Sequence, residues 1–405
     1  MSSVKLDTAP RLAEPPPLAL YVHFPWCVKK CPYCDFNSHT VRDSIPETAY
    51  IDALIADLES ALPMIWGRTI HSIFMGGGTP SLISAAGIDR LLEQVRMLTR
   101  LDPMAEITLE ANPGTADAAH FAGYRTAGIN RLSIGVQSFH DPHLQALGRI
   151  HDSRAAHQAI QLAHAHFDNI NLDLMYGLPG QTLTEAMLDL ETALRTGPSH
   201  LSCYHLTLEP NTPFYQHPPD LPGDDLTADM QDAVETRLAA AGFRHYETSA
   251  FAGPRGQSHA RCWHNTNYWQ FGDYLGIGAG AHSKLSSHQG IIRQIRHPHP
   301  KAYLENTANP VMQEHIIETA ALGFEFMMNA LRLIEGFDTT LFSARTGLGL
   351  HHVGRALETA EQRGLILREL QHIRPTDTGR RFLNDLLTLF LPGPPKRSAG
   401  SSGMA

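Results

Sequence analysis

The chain lacks several features that would settle its class at once. No apolar run reaches the length that crosses a bilayer, so no transmembrane helix is expected, although peripheral membrane contact is left open. No long basic run is present, the formal net charge is -9 and the isoelectric point is near 6.2. That balance argues against a broad nucleic-acid or anionic-membrane footprint, which needs clustered Lys and Arg. Residues Met1–Pro17 contain no apolar h-region and carry Pro15-Pro16-Pro17, so a disordered lead-in is expected there rather than a signal peptide. Cysteine is scarce at five residues, and Cys203 and Cys262 stand far apart, so no disulfide framework is expected. What remains is an ordinary globular composition: 405 residues with 42% hydrophobic content, enough for one large domain and a smaller one. The 24 histidines exceed what any one site needs, and most are expected at the surface.

The other three cysteines sit together in Tyr21-Val22-His23-Phe24-Pro25-Trp26-Cys27-Val28-Lys29-Lys30-Cys31-Pro32-Tyr33-Cys34-Asp35-Phe36. An apolar strand-like run from Leu18 to Phe24 ends at Pro25 and delivers Cys27, Cys31 and Cys34 at spacing C-x3-C-x2-C on a tight loop. A zinc knuckle normally needs a fourth Cys or His at similarly short spacing. An iron–sulfur cubane manages with three protein ligands and leaves one iron open to an exogenous molecule. The competing account is three packed core cysteines.

At these residues the chain resembles the radical S-adenosylmethionine superfamily. The words Tyr-Val-His-Phe-Pro-Trp-Cys and Cys-Asp-Phe resemble the branch that contains oxygen-independent coproporphyrinogen III oxidase, and within it the HemW-type haem chaperones. The resemblance runs from about Leu18 to Leu387. It implies a [4Fe–4S] cluster on Cys27, Cys31 and Cys34, with the amine and carboxylate of S-adenosylmethionine on the open iron. With an oxidation-sensitive cluster and no disulfides, a reducing, cytoplasmic setting is expected.

Six strands alternate with helices between Leu18 and Leu208: Leu18–Phe24, Ile70–Met75, Glu106–Glu110, Arg131–Val136, Asn169–Tyr176 and Leu201–Leu208. Such alternation predicts an α/β fold with a parallel sheet and right-handed crossovers. A partial (β/α)6 TIM-type barrel suits six units, and the resemblance implies the same radical SAM barrel; a doubly wound open sheet is the competing architecture. Ser44-Ile45-Pro46-Glu47 reads as a capping box for the first helix, and Thr182-x-x-Glu185 as another. The domain expectations are a lead-in over 1–17, a barrel domain with an aromatic and glycine-rich extension over 18–285, and a His- and Pro-interrupted linker over 286–310. A helical, winged-helix-like C-terminal domain over 311–391 and a disordered tail over 392–405 complete them. The wing is expected from Leu365–Leu367 and His372–Arg374.

In a parallel barrel, chemistry collects where strands end. Gly76-Gly77-Gly78-Thr79 ends the second strand, where missing side chains allow backbone to approach a ligand. Glu110 ends the third, Gln137 the fourth with Arg149 twelve residues on, and the fifth carries Asp173. Arg149 can pair a carboxylate in fork geometry, while Glu110, Asp173 and Gln137 can meet ammonium or hydroxyl groups. The resemblance places nucleotide-binding roles on Tyr21, Tyr33, Gly77, Gly78, Thr79, Glu110, Gln137, Arg149 and Asp173.

Two features separate the chain from the oxidase. The oxidase motif continues C-x2-C-x-C, and Phe36 stands where that extra cysteine falls, so coproporphyrinogen III oxidase activity is not expected. His264-Asn265-Thr266-Asn267-Tyr268-Trp269 matches the HN-x-x-YW word of haem-chaperone members. His can ligate haem iron while Tyr and Trp rings cover a porphyrin face, so His264 is the expected haem ligand, with Cys262, His259 and His282 as competitors. The expected function is a haem chaperone that passes haem to haem-requiring proteins, without nucleic acid as a partner. The alternative is a radical enzyme acting on coproporphyrinogen III or another small molecule; RNA modification is disfavoured by the charge.

Overall fold

The computed structural model describes residues 12–115, 118–254 and 261–392. Most of the expected lead-in and tail, and His259, lie outside the described residues. The chain divides into two units, Pro15–Ile316 and the part that begins at Ile317.

The first unit is built on six parallel strands, β1 (Leu18–Phe24), β2 (Thr69–Gly77), β3 (Arg100–Ala111), β4 (Arg131–Gln137), β5 (Ile170–Tyr176) and β6 (His200–His205). Helices α1 (Glu47–Ile65), α2 (Ala85–Leu98), α3 (Ala118–Ala127), α4 (Ser153–His164) and α5 (Leu183–Thr196) connect them. The strands pair in the order β1-β2-β3-β4-β5-β6. A doubly wound sheet reverses its strand order at a switch point; this order never reverses, which excludes that architecture. Nor does the sheet close. The far edge of β6 pairs antiparallel with a hairpin from Arg244–Glu247 and Ala250–Ala252, so the barrel is partial, as expected.

Side chains alternate along each strand with period two. Ile73, Met75, Leu109, Ile134, Leu172 and Leu201 join the helices in one apolar core. The opposite face turns polar residues into the barrel, where Asn171 donates to Ser133 (2.8 Å), Ser133 to Asp173 (3.0 Å) and Ser202 to Asn171 (3.0 Å). Those polar groups satisfy one another, which is the condition for burying them. They also leave an interior able to receive a polar ligand.

Two local expectations differ from the structure. Glu47 does not reach back to Ser44; helix α1 begins after Pro46 without a side-chain cap. The Glu47 carboxylate instead accepts from the backbone N–H of Ser84 (2.9 Å) and from its hydroxyl, bracing the start of α2, where Ser84 itself caps the Gly87 N–H. The box at Thr182 and Glu185 is formed, and Gly197 ends α5 in the left-handed region.

Residues 286–310 are not a linker. They hold most of a hairpin, His282–Ser287 with Gly290–Arg296, and the short helix Pro300–Glu305. The hairpin widens the sheet beside Asp273–Ile277, which runs parallel to β1, and Val311–Ile316 forms the outer edge. What holds this extension is a pair of buried charge clusters. Asp57 of α1 accepts from Arg296 Nε (3.2 Å), Tyr303 Oη (2.9 Å) and the Gly278 N–H (3.1 Å). Asp273 accepts from Lys284 Nζ (2.9 Å) and the Ser286 N–H (2.7 Å) and forms an ion pair with Arg68 at 2.9 Å. Removing one partner of such a pair strands a buried charge at a cost of about 3–5 kcal/mol.

In the second unit, helices Thr319–Ala330, Thr339–Thr346 and Gly354–Gln362 accompany a three-stranded antiparallel sheet of Phe337–Asp338, His372–Pro375 and Ile366–Arg368. Phe326 packs edge-on to Phe337 and Phe342 at its centre. The expected wing is present at Ile366–Arg368 and His372–Pro375.

Candidate functional site

The cysteine loop is fastened from both sides. Its two ends form a short parallel bridge between Trp26–Cys27 and His39–Thr40, and the end of β2 closes on it through Gly78 N–H to Phe24 O and Thr79 N–H to Trp26 O, both 2.7 Å. A side chain at Gly78 would place its Cβ 2.5 Å from Trp26 O, and one at Gly77, whose φ is +107°, would meet the His23 ring at 2.4 Å. The packing of loop on strand therefore requires glycine at both positions, a demand separate from the ligand approach expected of them. His23 completes the fastening. Its Nε2 donates to Asn37 O (2.8 Å) while Tyr21 Oη donates to Nδ1 (3.1 Å), and burial lowers its pKa to about 4, which keeps the ring neutral for both bonds.

Cys27, Cys31 and Cys34 open on a cavity of about 360 Å³ at the C-terminal ends of the strands, shared with Tyr33, Gly77, Gly78, Thr79, Glu110, Gln137, Arg149 and Asp173. Eleven of the thirteen expected site residues thus meet in one place, and none of the cysteines is paired with another. Burial pushes the Cys27 and Cys34 thiols above the ordinary range, so they need a cation to become thiolates.

The electrostatics of this cavity are unbalanced. Burial first, and the Asp173 charge second, raise Glu110 to about 8, opposed by the Gly77 N–H at 3.3 Å. Asp173 is also raised, chiefly by burial, although Asn171 (2.8 Å) and Ser133 (3.0 Å) donate to it. Opposite them Arg149 donates through Nη2 to Gly135 O (2.8 Å) and sits 3.6 Å from Cys31 Sγ through Nη1. Its Nε is buried without a protein acceptor. Burial opposes its charge, but Tyr33 and Cys31 hold its pKa above the usual value. The site thus offers carboxylates to a cation and an unused donor to an anion. Gln137 has a left-handed backbone, φ 70°, where a bulge displaces the β4–β5 register; non-glycine residues adopt that conformation at a cost, and it is found at ligand sites.

Tyr21 and His264 do not join this cavity. The Tyr21 ring lies beside Phe74 and His264, and its hydroxyl is engaged by His23. His264 belongs to α6 (Trp263–Trp269), a short helix at the other end of the barrel interior. Glu106 caps that helix, accepting from the N–H groups of Trp263 (3.1 Å) and His264 (3.2 Å), where the positive end of the helix favours a carboxylate. The His264 ring is buried, 8% exposed, hydrogen-bonded at Nδ1 to Ser72 Oγ (3.0 Å) and flanked by Phe74 at 5.1 Å. Burial lowers its pKa to about 3. Enclosed in this way, the ring presents no open face in this structure. Cys262 is buried as well, with its thiol donating to Glu106 (3.5 Å); His282 is exposed.

The matches to known proteins follow the same division. Residues 21–193 match the radical SAM superfamily, and residues 319–382 match the HemN C-terminal domain. The heme chaperone HemW of Haemophilus influenzae is 47% identical over 382 residues, which cover 93% of this chain and 98% of that one. This chain belongs to the HemW family. A second HemW, from Escherichia coli, is 45% identical with the same coverage. Among solved structures, coproporphyrinogen III oxidase (HemN) from Escherichia coli superposes with a TM-score of 0.79 at 23% identity, covering 93% of this chain and 90% of that one. At that identity the likeness establishes the fold: an α/β radical SAM barrel with a HemN-type C-terminal domain.

Against this HemW background, Phe36 lies at the cavity edge and is 59% exposed, where the oxidase reading would put a cysteine. Tyr204, His205 and Glu209, which are not among the expected site residues, also line the cavity from the end of β6. The available signal was period two: Tyr204 shares the inward face of Ser202 and His200. No described helix is long and apolar enough to cross a membrane.

Proposed function

We propose that this chain binds haem and passes it to haem-requiring proteins, while its barrel rim carries a [4Fe–4S] cluster and S-adenosylmethionine. The observation that carries the reading is likeness from end to end, at 45% and 47% identity, to proteins named heme chaperone HemW. The cavity supports the cofactor part. Three unpaired thiols on one wall suit a cluster held by three ligands, and Cys27, Cys31 and Cys34 would hold it. Two raised carboxylates, Glu110 and Asp173, suit a ligand with positive charge and ribose hydroxyls, and the unpartnered Nε of Arg149 suits its carboxylate. When bound, the reduced cluster supplies an electron able to cleave the sulfonium. The protein's own part is to enclose that site, orient the ligand and hold a proton on Glu110 until a cation replaces it. A reducing cytoplasm suits both the cluster and the unpaired cysteines.

The porphyrin site is proposed apart from His264. His282 is exposed at the start of the hairpin strand His282–Ser287, and it is the ring to test as ligand. The rival reading, decarboxylation of coproporphyrinogen III, draws on the shared fold, which alone does not choose a reaction. Anaerobic reconstitution followed by parallel assays of haem binding and coproporphyrinogen turnover separates the two. Haem binding without turnover supports the proposal; turnover without haem binding overturns it.

A further inference from the structure

Away from the barrel cavity, three metal-ligating groups converge in the loop that follows β4. His140 and His143 lie three residues apart at the start of the short helix Asp141–Ala146, a spacing that puts both rings on one face, and their centroids are 4.7 Å apart. Glu185, in the first turn of α5, brings its Oε2 to 3.7 Å from His143 Nε2. One ligand atom from each of the three lies within 4.8 Å of the others.

The imidazoles are the informative part. The His143 side chain is only 7% exposed, and both His143 Nε2 and His140 Nδ1 are buried with no hydrogen-bond partner. Two buried imidazole nitrogens left unpaired beside a carboxylate form a costly arrangement without something to bind. The groups are also held in place by an outer set of bonds. Thr182 donates to Glu185 through its N–H and its hydroxyl, both 2.8 Å. Asp189 accepts from Ser138 Oγ (2.6 Å) and the Phe139 N–H (2.7 Å), and Ser138 Oγ in turn accepts from the His140 N–H (3.0 Å). Ligands oriented by such partners are the usual construction of a metal site. A groove lined by His140, Glu185 and Asp189 provides an entry path.

We infer that His140, His143 and Glu185 form a site for a first-row divalent cation of the zinc class, with a fourth position open to water. Two imidazoles and one carboxylate match that class in donor type and count. Zinc bonds of about 2.0–2.1 Å put tetrahedral donors roughly 3.3 Å apart, so the three groups must close by no more than about 1.5 Å. The segment they would clamp, residues 138–148, joins Gln137 to Arg149, both in the barrel cavity. The bound ion would tie that segment to α5 and so brace the rim from behind. The inference is independent of the haem reading.

The test is calorimetric titration of zinc chloride into the full-length protein with its cluster already loaded, so that Cys27, Cys31 and Cys34 do not compete. The wild type is expected to take up one equivalent and to melt at higher temperature with zinc. His143→Gln and Glu185→Gln should each weaken binding by at least the roughly tenfold that losing even an outer partner costs. Glu185→Gln preserves the capping box, so its melting without zinc should match the wild type. His164→Ala, in the same groove, should leave the affinity unchanged. No zinc uptake by the wild type, or wild-type stoichiometry and affinity in a folded His140→Ala/His143→Ala variant, would overturn the inference and leave a His143–Glu185 ion pair in its place.

Discussion

Glu110→Gln probes the cavity's charge directly. Folding raises this carboxyl from an ordinary 4.5 to about 8. Between those values the folded state holds a proton that the unfolded state has lost, so this group's contribution to stability is present below about pH 4.5 and is lost as the pH rises through about 8. The glutamine variant should therefore gain in stability over the wild type as the pH rises. Ligand binding runs the other way. At pH 7 a group with a pKa of about 8 is about one-tenth ionised, so a cation that requires the carboxylate binds about tenfold, or about 1.4 kcal/mol, below its limit. Anaerobic calorimetry with S-adenosylmethionine in two buffers of different ionisation heat should count about 0.9 protons released per ligand at pH 7. Affinity should tighten from about pH 6.5 to about pH 8.5 and then level. In Glu110→Gln the proton release and the pH dependence should vanish. Above about pH 8 its binding should be weaker by the about 1.5–3 kcal/mol of a charged hydrogen bond. Binding to the wild type with no proton release and no pH dependence would refute the role assigned to Glu110.

Three further outcomes are expected. Replacing Cys27, Cys31 and Cys34 together with Ser should abolish iron incorporation, measured by iron content and absorption after anaerobic reconstitution. Gly78→Ala forces a Cβ to 2.5 Å from Trp26 O, so it should cost about 1–3 kcal/mol by overpacking and lower cluster loading, read by thermal melting and iron content. His264→Ala should lose about 2–4 kcal/mol, the scale of a large-to-small core change, yet keep the haem absorption band, whereas His282→Ala should shift it. A folded His264→Ala protein without that band would restore His264 as ligand.

The sequence was most legible where signal and contact are local. β1 spans the residues expected for it, and Thr182 and Glu185 bond each other across one turn. The rim residues were found because strand ends in a parallel barrel converge whatever their spacing in the chain. Tyr21 came from the resemblance rather than from this rule; it lies in the middle of β1, and its ring points into the barrel below the rim. Residues 286–310 read as a linker because His and Pro interrupt their pattern. Their order comes from partners such as Asp57 and Arg296, which are 239 residues apart, and no local pattern announces such a pair. Glu47 was lost to Ser84 for a like reason. At His264 the ambiguity is chemical: an imidazole among aromatic rings can cover a porphyrin or plug a barrel, and its partners Glu106 and Ser72 lie too far away in sequence for a local pattern to announce them.

Haem carriage is tested most directly by transfer. Cluster-loaded protein is saturated with haem, freed of excess and mixed with an apo-haemoprotein, and the acceptor's absorption band is followed, with coproporphyrinogen III turnover assayed on the same preparation. The proposed function predicts that haem moves to the acceptor faster in the protein's presence than from free solution, with no decarboxylated product. Repeated turnover of coproporphyrinogen III, with no transfer of haem, would contradict it.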